Sequence, residues 1–183
     1  MSISDEKLAQ QSLISKDTFA KLVDRYETKL LRYIKRLTGL PTDQAEDVLQ
    51  ETFIKIYRNL NNFDPKLKFS SWAYRITHNE SINHAKKIKK VVPLENDDED
   101  ATSLIEILES DANVEKEAIQ KETALKVRAA LYKLPKKYRD VLILYYLEDQ
   151  DYAAISDILK KPSGTVATLL NRAKAKFKHI YND

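Results

Sequence analysis

Cysteine is absent from the 183 residues, so no disulfide framework, thiol nucleophile or thiolate metal site can be built from this chain. The three histidines, His78, His84 and His179, lack the close spacing of a zinc-binding helix, and neither a metal nor a cofactor is expected. Glycine is scarce too. With only Gly39 and Gly164, the chain has no glycine-rich phosphate loop and few of the turns that hairpins require. No apolar run approaches the roughly 20 residues of a membrane span, and the opening MSISDEKLAQQSL has no basic-then-apolar leader, so a cytoplasmic protein without membrane insertion is expected. What remains is an all-α expectation, with two small helical domains joined by an acidic linker.

Charge marks out those parts. The net charge is only +3, but residues 1–90 carry +6, residues 91–122 carry −9 and residues 123–183 carry +6. Four consecutive acids, Asp97 to Asp100, repel one another with few apolar neighbours to bury, so the first half of the bridge is expected to be poorly ordered. Ser103 to Leu108 reads either as linker or as a short amphipathic turn. Two basic lobes suit a polyanionic partner, because Lys and Arg beside phosphates release counterions, although any single Lys reads equally as a solvated surface charge.

In the first lobe, Phe19, Leu22, Val23, Tyr26, Leu30, Ile34 and Leu37 recur at three and four residues, which predicts an amphipathic helix ending near Gly39 and Pro41. Thr42 or Asp43 is expected to cap the next helix, which buries Ala45, Val48, Leu49, Thr52, Phe53, Ile56 and Leu60. Its other face displays Asp43, Asp47, Gln50, Glu51, Lys55 and Arg58. After a turn at Asn61 to Pro65, a third helix starts near Phe69 or Ser70. On it, Arg75, Asn79, Asn83 and Lys86 fall within roughly 80° of arc beside Trp72. Such a border suits unpaired nucleic acid: aromatic faces stack on bases, amides read their edges, and cations hold the backbone. Trp72 reads alternatively as core, and the Asp47, Gln50, Glu51 stripe as a solvated face.

In the second lobe, Leu134 and Pro135 introduce KKYRDVLILYYLEDQ, an amphipathic helix with an apolar centre at Val141, Leu142, Leu144, Tyr145 and Leu147. Tyr152 to Leu159, the turn KKPSG, and Thr165 to about His179 follow, with Ser156 ten residues before Val166. That spacing fits a helix-turn-helix, with an ordinary helical hairpin as the alternative. In a helix-turn-helix the early residues of the second helix face base edges, here Thr165, Ala167, Thr168, Asn171 and Arg172, while Lys161, Lys174, Lys176 and Lys178 flank them toward phosphates.

Taken together, AEDVLQETF (45–53), FSSWAYRITHNESIN (69–83), LPKKYRDVLILYY (134–146) and PSGTVATLLNRAKAKF (162–177) resemble a bacterial RNA polymerase sigma factor of the sigma-70 family, extracytoplasmic-function type. The likeness covers Thr18 to Lys90 and Glu122 to Tyr181. It implies an N-terminal extension (1–17), sigma region 2 (18–92), an acidic linker (93–121) and sigma region 4 (122–183). It further implies that Asp47, Gln50 and Glu51 dock on the clamp helices of the largest polymerase subunit. Phe63, Phe69, Ser71, Trp72, Arg75, Asn79, Asn83 and Lys86 would contact single-stranded promoter DNA. Lys161, Pro162, Thr165, Ala167, Thr168, Asn171, Arg172 and Lys176 would contact the duplex promoter. The flap of the second-largest subunit and an anti-sigma factor complete the implied partners, and the linker resembles a segment that threads toward the RNA exit channel.

The departures from the family concern specificity. Ala167, Thr168 and Leu169 stand where a basic residue, Ser and Arg are common, Ala153 and Ala154 replace an acidic pair, and Lys160 stands where the turn often has Gly. A helix-turn-helix regulator acting without polymerase is the alternative function, but it would leave the AEDVLQETF face without a task. An enzyme lacks a nucleophile, a metal set or an enclosed acid–base pair.

Overall fold

The computed structural model describes residues 3–87 and 118–182, with side chains in the second stretch from residue 124. Most of the acidic bridge, including Asp97 to Asp100 and Ser103 to Leu108, lies outside the described residues. Apart from Asp157–Leu159, the two compact units of the chain divide between the last helix of the first lobe and the first helix of the second. The described residues form helices and no strand, and no described helix is long and apolar enough to cross a membrane.

The first unit contains α1 (Asp5–Ser12), α2 (Lys16–Thr38), α3 (Thr42–Arg58), a 3-10 turn at Leu60–Asn62 and α4 (Phe69–Lys87). The expected stripe of α2 is its buried face: Leu22, Tyr26, Leu30, Ile34 and Leu37, joined by Tyr33. Gly39 ends it at φ 71°, a left-handed conformation in which its N–H reaches the Lys35 carbonyl at 2.8 Å. The cap of α3 differs from expectation. Pro41 holds the N-cap position without a side-chain bond, and Thr42 is already helical. Ala45, Val48, Leu49, Thr52 and Ile56 face inward, Leu60 is buried in the 3-10 turn, and Phe53 is half-buried at the rim with Phe19 and Tyr57.

Helix α4 packs against both α2 and α3, and its buried face is unusually polar. The hydroxyls of Thr77 and Ser81 donate to the carbonyls four residues earlier, at 2.9 and 2.8 Å, so their burial is matched by hydrogen bonds. His78 Nδ1 is hydrogen-bonded to the Tyr33 hydroxyl at 2.8 Å, and Glu80 pairs with Lys55 of α3. Helix α1 was not expected, since DEKLAQQS offers only Leu8 and Ala9 to a core. Both are nonetheless buried, and α1 packs on α2 and α4.

The second unit contains α5 (Ala118–Lys133), α6 (Lys136–Leu142), a π turn at Ile143–Leu147, α7 (Tyr152–Leu159) and α8 (Ser163–Asn182). Val166, Leu170, Ala173 and Phe177 of α8 pack into a core with Val141 to Leu144, and both α5 and α6 lie against α8. The single amphipathic helix expected from KKYRDVLILYYLEDQ widens at its apolar centre. There the Glu148 N–H reaches back five residues to the Ile143 carbonyl at 3.0 Å.

Candidate nucleic-acid interface

Three sets of residues carry the chemistry, and two sit on the first unit. On α3, one face is consumed by packing, and Asp47, Gln50 and Glu51 emerge side by side on the other, all exposed. Their stripe continues into Ile54 and Tyr57, which are 44% and 40% exposed. Sequence reading passed over this apolar continuation, although two large apolar residues on the polar side of a helix were visible in the pattern.

The second set divides by depth. Phe63, Phe69, Ser71 and Trp72 are buried, Arg75 is half-buried, and Asn79, Asn83 and Lys86 are exposed along α4. Trp72 lies 5.3 Å from Phe63 and 5.7 Å from Phe69 by ring centroids, and Phe63 and Phe69 are 5.5 Å apart edge-to-face. Here, then, the tryptophan belongs to a closed aromatic box beneath the exposed 64–68 loop. On the same helix the Ser71 Oγ is buried without a hydrogen-bond partner among the described residues, a state that ordinarily costs about 1–3 kcal/mol.

The third set is carried by α7 and α8. Asp151 caps α7 by accepting the Ala154 N–H at 2.7 Å. Lys160 closes the helix in the left-handed region (φ 53°, ψ 50°), so it adopts the geometry that a glycine would supply. The turn is further tied by the Lys161 N–H to the Ser156 carbonyl at 3.1 Å and by the Ser156 hydroxyl to the Lys161 carbonyl. Beyond it, α8 presents Thr165, Thr168, Asn171 and Arg172 to solvent, with Ala167 half-buried between them. The Thr168 hydroxyl donates to the Gly164 carbonyl at 2.9 Å, which leaves its lone pairs outward.

Pro162, Lys174, Lys176 and Lys178 are exposed around that face, and Lys161 is half-buried. Lys174 lies 5.8 Å from the Tyr146 ring centroid. A side-chain hydrogen bond with Tyr146 is the main cause that raises its pKa, so it stays cationic over the whole physiological range. Among the described residues no cluster of His, Asp or Glu is arranged to hold a metal. The chemistry on offer is therefore amides, hydroxyls, guanidinium and ammonium groups on exposed helix faces, with one aromatic box below a loop.

Comparison with known families places both units. The model of Sigma-70 region 2 matches residues 22–91, and that of Sigma-70, region 4 matches residues 124–177. The chain belongs to the extracytoplasmic-function sigma factors. It is 33% identical over 172 residues to the ECF RNA polymerase sigma factor SigW of Bacillus subtilis, covering 92% of this chain and 91% of that one. It is also 30% identical to SigM of the same organism, covering 90% and 96%. Among solved structures, CnrH in complex with the cytosolic domain of CnrY shares the fold at TM-score 0.71 and 23% identity, covering 97% of both chains. The sigma factor RpoE of Bartonella quintana, in complex with the anti-sigma factor NepR, shares it at 0.66 and 19%, covering 92% and 98%. As a sigma factor, the chain binds core RNA polymerase and directs it to promoters.

Proposed function

We propose that the sigma factor divides its work between the two units. The first docks on the clamp helices of the largest polymerase subunit through Asp47, Gln50 and Glu51 of α3. It opens the promoter with the aromatic box of Phe63, Phe69 and Trp72, with Ser71, and with the α4 border of Arg75, Asn79, Asn83 and Lys86. The second reads the distal duplex element with Thr165, Ala167, Thr168, Asn171 and Arg172, holds phosphates with Lys161, Lys176 and the start of the helix at Pro162, and meets the flap of the second-largest subunit. Residues 93–121 serve as the linker and 1–17 as an extension. The chain carries no catalysis of its own and acts in the cytoplasm, where its polymerase is. An anti-sigma factor is a further partner, by analogy with RpoE, which is solved with NepR.

The observation that carries this reading is the outer face of α3. Asp47, Gln50 and Glu51 lie together, exposed, and among the described residues no hydrogen bond or ion pair uses them. A regulator that acted without polymerase would have no task for that face. The Ser71 hydroxyl, buried on α4 without a hydrogen-bond partner among the described residues, supports the second half, since an unsatisfied group gains when an incoming base partners it. Reversing the charge in Glu51→Lys should weaken retention by purified core polymerase at least about tenfold, or 1.4 kcal/mol. Helical content by circular dichroism should stay at the wild-type value. Wild-type retention of a folded Glu51→Lys chain would remove α3 from the docking surface.

A further inference from the structure

Helix α1 precedes the residues that either family model matches, which begin at residue 22. Eight residues with two buried apolar side chains do not hold a helix by themselves. Polar contacts fasten it instead. Ser4 accepts the Lys7 N–H at its start, Asp5 pairs with Arg25 and accepts the Tyr26 hydroxyl at 2.6 Å, and Arg25 also donates to the Ile3 carbonyl at 2.8 Å. Glu6 does something different. Its Oε1 accepts the backbone N–H of Phe69, 63 residues later in the chain, at 3.1 Å.

Phe69 is the first residue of α4, so that N–H is one of the donors that a helix start leaves without a backbone partner. The residue before it, Lys68, ends in an ammonium and offers no side-chain acceptor. A carboxylate is also the charge favoured at the positive end of a helix dipole. Glu6 thus supplies from a distant helix the cap that the local sequence lacks. The capped residue is also the centre of the aromatic box: Phe69 touches Tyr26 at 5.4 Å, Phe63 at 5.5 Å and Trp72 at 5.7 Å. Tyr26 is itself held by Asp5, so α1 fixes Phe69 twice, by its backbone through Glu6 and by its ring through Asp5 and Tyr26.

We propose that α1 is a latch on the loop between Phe63 and Phe69, and that Glu6 is a positioning residue for promoter opening. By anchoring the start of α4 it keeps Phe69 in place while Phe63 and the loop yield to an incoming base. The inference rests on the assignment of α4 and its loop to strand opening.

The test compares full-length wild-type, Glu6→Ala and Glu6→Gln chains. Glutamine keeps an oxygen that accepts the Phe69 N–H; alanine does not. Trp72 is the only tryptophan, so its fluorescence reports the box directly. Its emission should shift to the red in Glu6→Ala and return to the wild-type position in Glu6→Gln. Each chain is then assembled with core polymerase on a promoter that the wild-type holoenzyme selects from a randomised library. Closed-complex affinity should be equal in all three. The opening rate, read from permanganate reactivity of unpaired thymines, should fall about fivefold in Glu6→Ala, the size of a lost helix cap, and recover in Glu6→Gln.

Equal losses of affinity and opening would mark Glu6 as a general stabiliser and overturn the latch, as would failure of glutamine to rescue. Normal opening by Glu6→Ala, where Asn79→Ala opens slowly, would overturn the latch and leave α4 as the opening element. Normal opening by both would remove the assignment of α4 itself. Should Glu6→Ala not fold, Glu6→Asp replaces it: the shorter carboxylate keeps the charge, cannot reach Phe69, and should open slowly where Glu6→Gln opens normally.

Discussion

Asp140 shows how much one buried side chain can decide. It is 5% exposed on α6, and burial pushes its carboxyl up to about 6 even though Lys136, Arg139 and Lys161 all pull the other way. Because the folded pKa lies above the ordinary 3.8, the folded chain binds the proton more tightly than the unfolded chain between those values. The stability that the neutral carboxyl allows is fully present below 3.8 and is lost as pH rises through about 6. At pH 7.5 the buried carboxylate costs on the order of 3 kcal/mol. Asp140→Asn should therefore melt above the wild type at pH 7.5, by a margin that narrows at pH 5. A variant that melts lower at both pH values would show that the attraction of Lys136, Arg139 and Lys161 for the Asp140 carboxylate outweighs its burial.

Other single residues differ in how far the sequence revealed them. Leu30, Ile34 and Val48 were legible as core because a helix returns the same face every three or four residues. Spacing placed Trp72 at the boundary between the α4 core face and the polar border, and only packing against Phe63 and Phe69 puts it inside. Glu6 left no local signal at all, since its partner is a backbone N–H brought to it by tertiary folding.

At the scale of elements, legibility followed the length of the apolar pattern. Helices α2, α3 and α4 each run at least 17 residues with long stripes, and they fall within a few residues of expectation. Helix α1 is eight residues with two apolar anchors, below what periodicity can resolve. The π turn at 143–147 escaped for the opposite reason, because an unbroken apolar run fits an α-helix and a widened turn equally well. Helix α8 was the most readable, starting at Ser163 where Thr165 was expected, and its charge carries a prediction. Lys176 sits 6.0 Å from the Tyr138 ring on the exposed side of that helix. As a phosphate contact it should act without regard to base sequence. Lys176→Ala should weaken promoter binding evenly across sequences and reduce the slope of log affinity against log salt by about 1. A change confined to one base position would make Lys176 a base reader instead.

At the scale of the whole molecule, two blocks of +6 along the sequence on either side of a −9 bridge give each lobe the charge that a polyanionic partner favours. Reading a duplex and capturing an unpaired strand depend on different chemistry, and the exposed groups fit that split: Arg172 on α8 has a guanidinium able to make a bidentate base contact, while Asn79 on α4 has an exposed amide. Arg172→Ala should cost about 1–3 kcal/mol in binding of the holoenzyme to promoter duplex, with the opening rate of bound complexes unchanged. Asn79→Ala should leave duplex binding intact and slow opening, since contacts to an unpaired base exist only once the strand is exposed. If the tasks reside in separate units, the double variant should show both defects at their single-variant sizes, because independent sites add. Permanganate footprinting measures opening, and retention on duplex measures binding. A double variant that opens far more slowly than Asn79→Ala alone would mean that the grip of α8 on the distal element feeds into melting. The division of labour would then have to give way to a coupled machine.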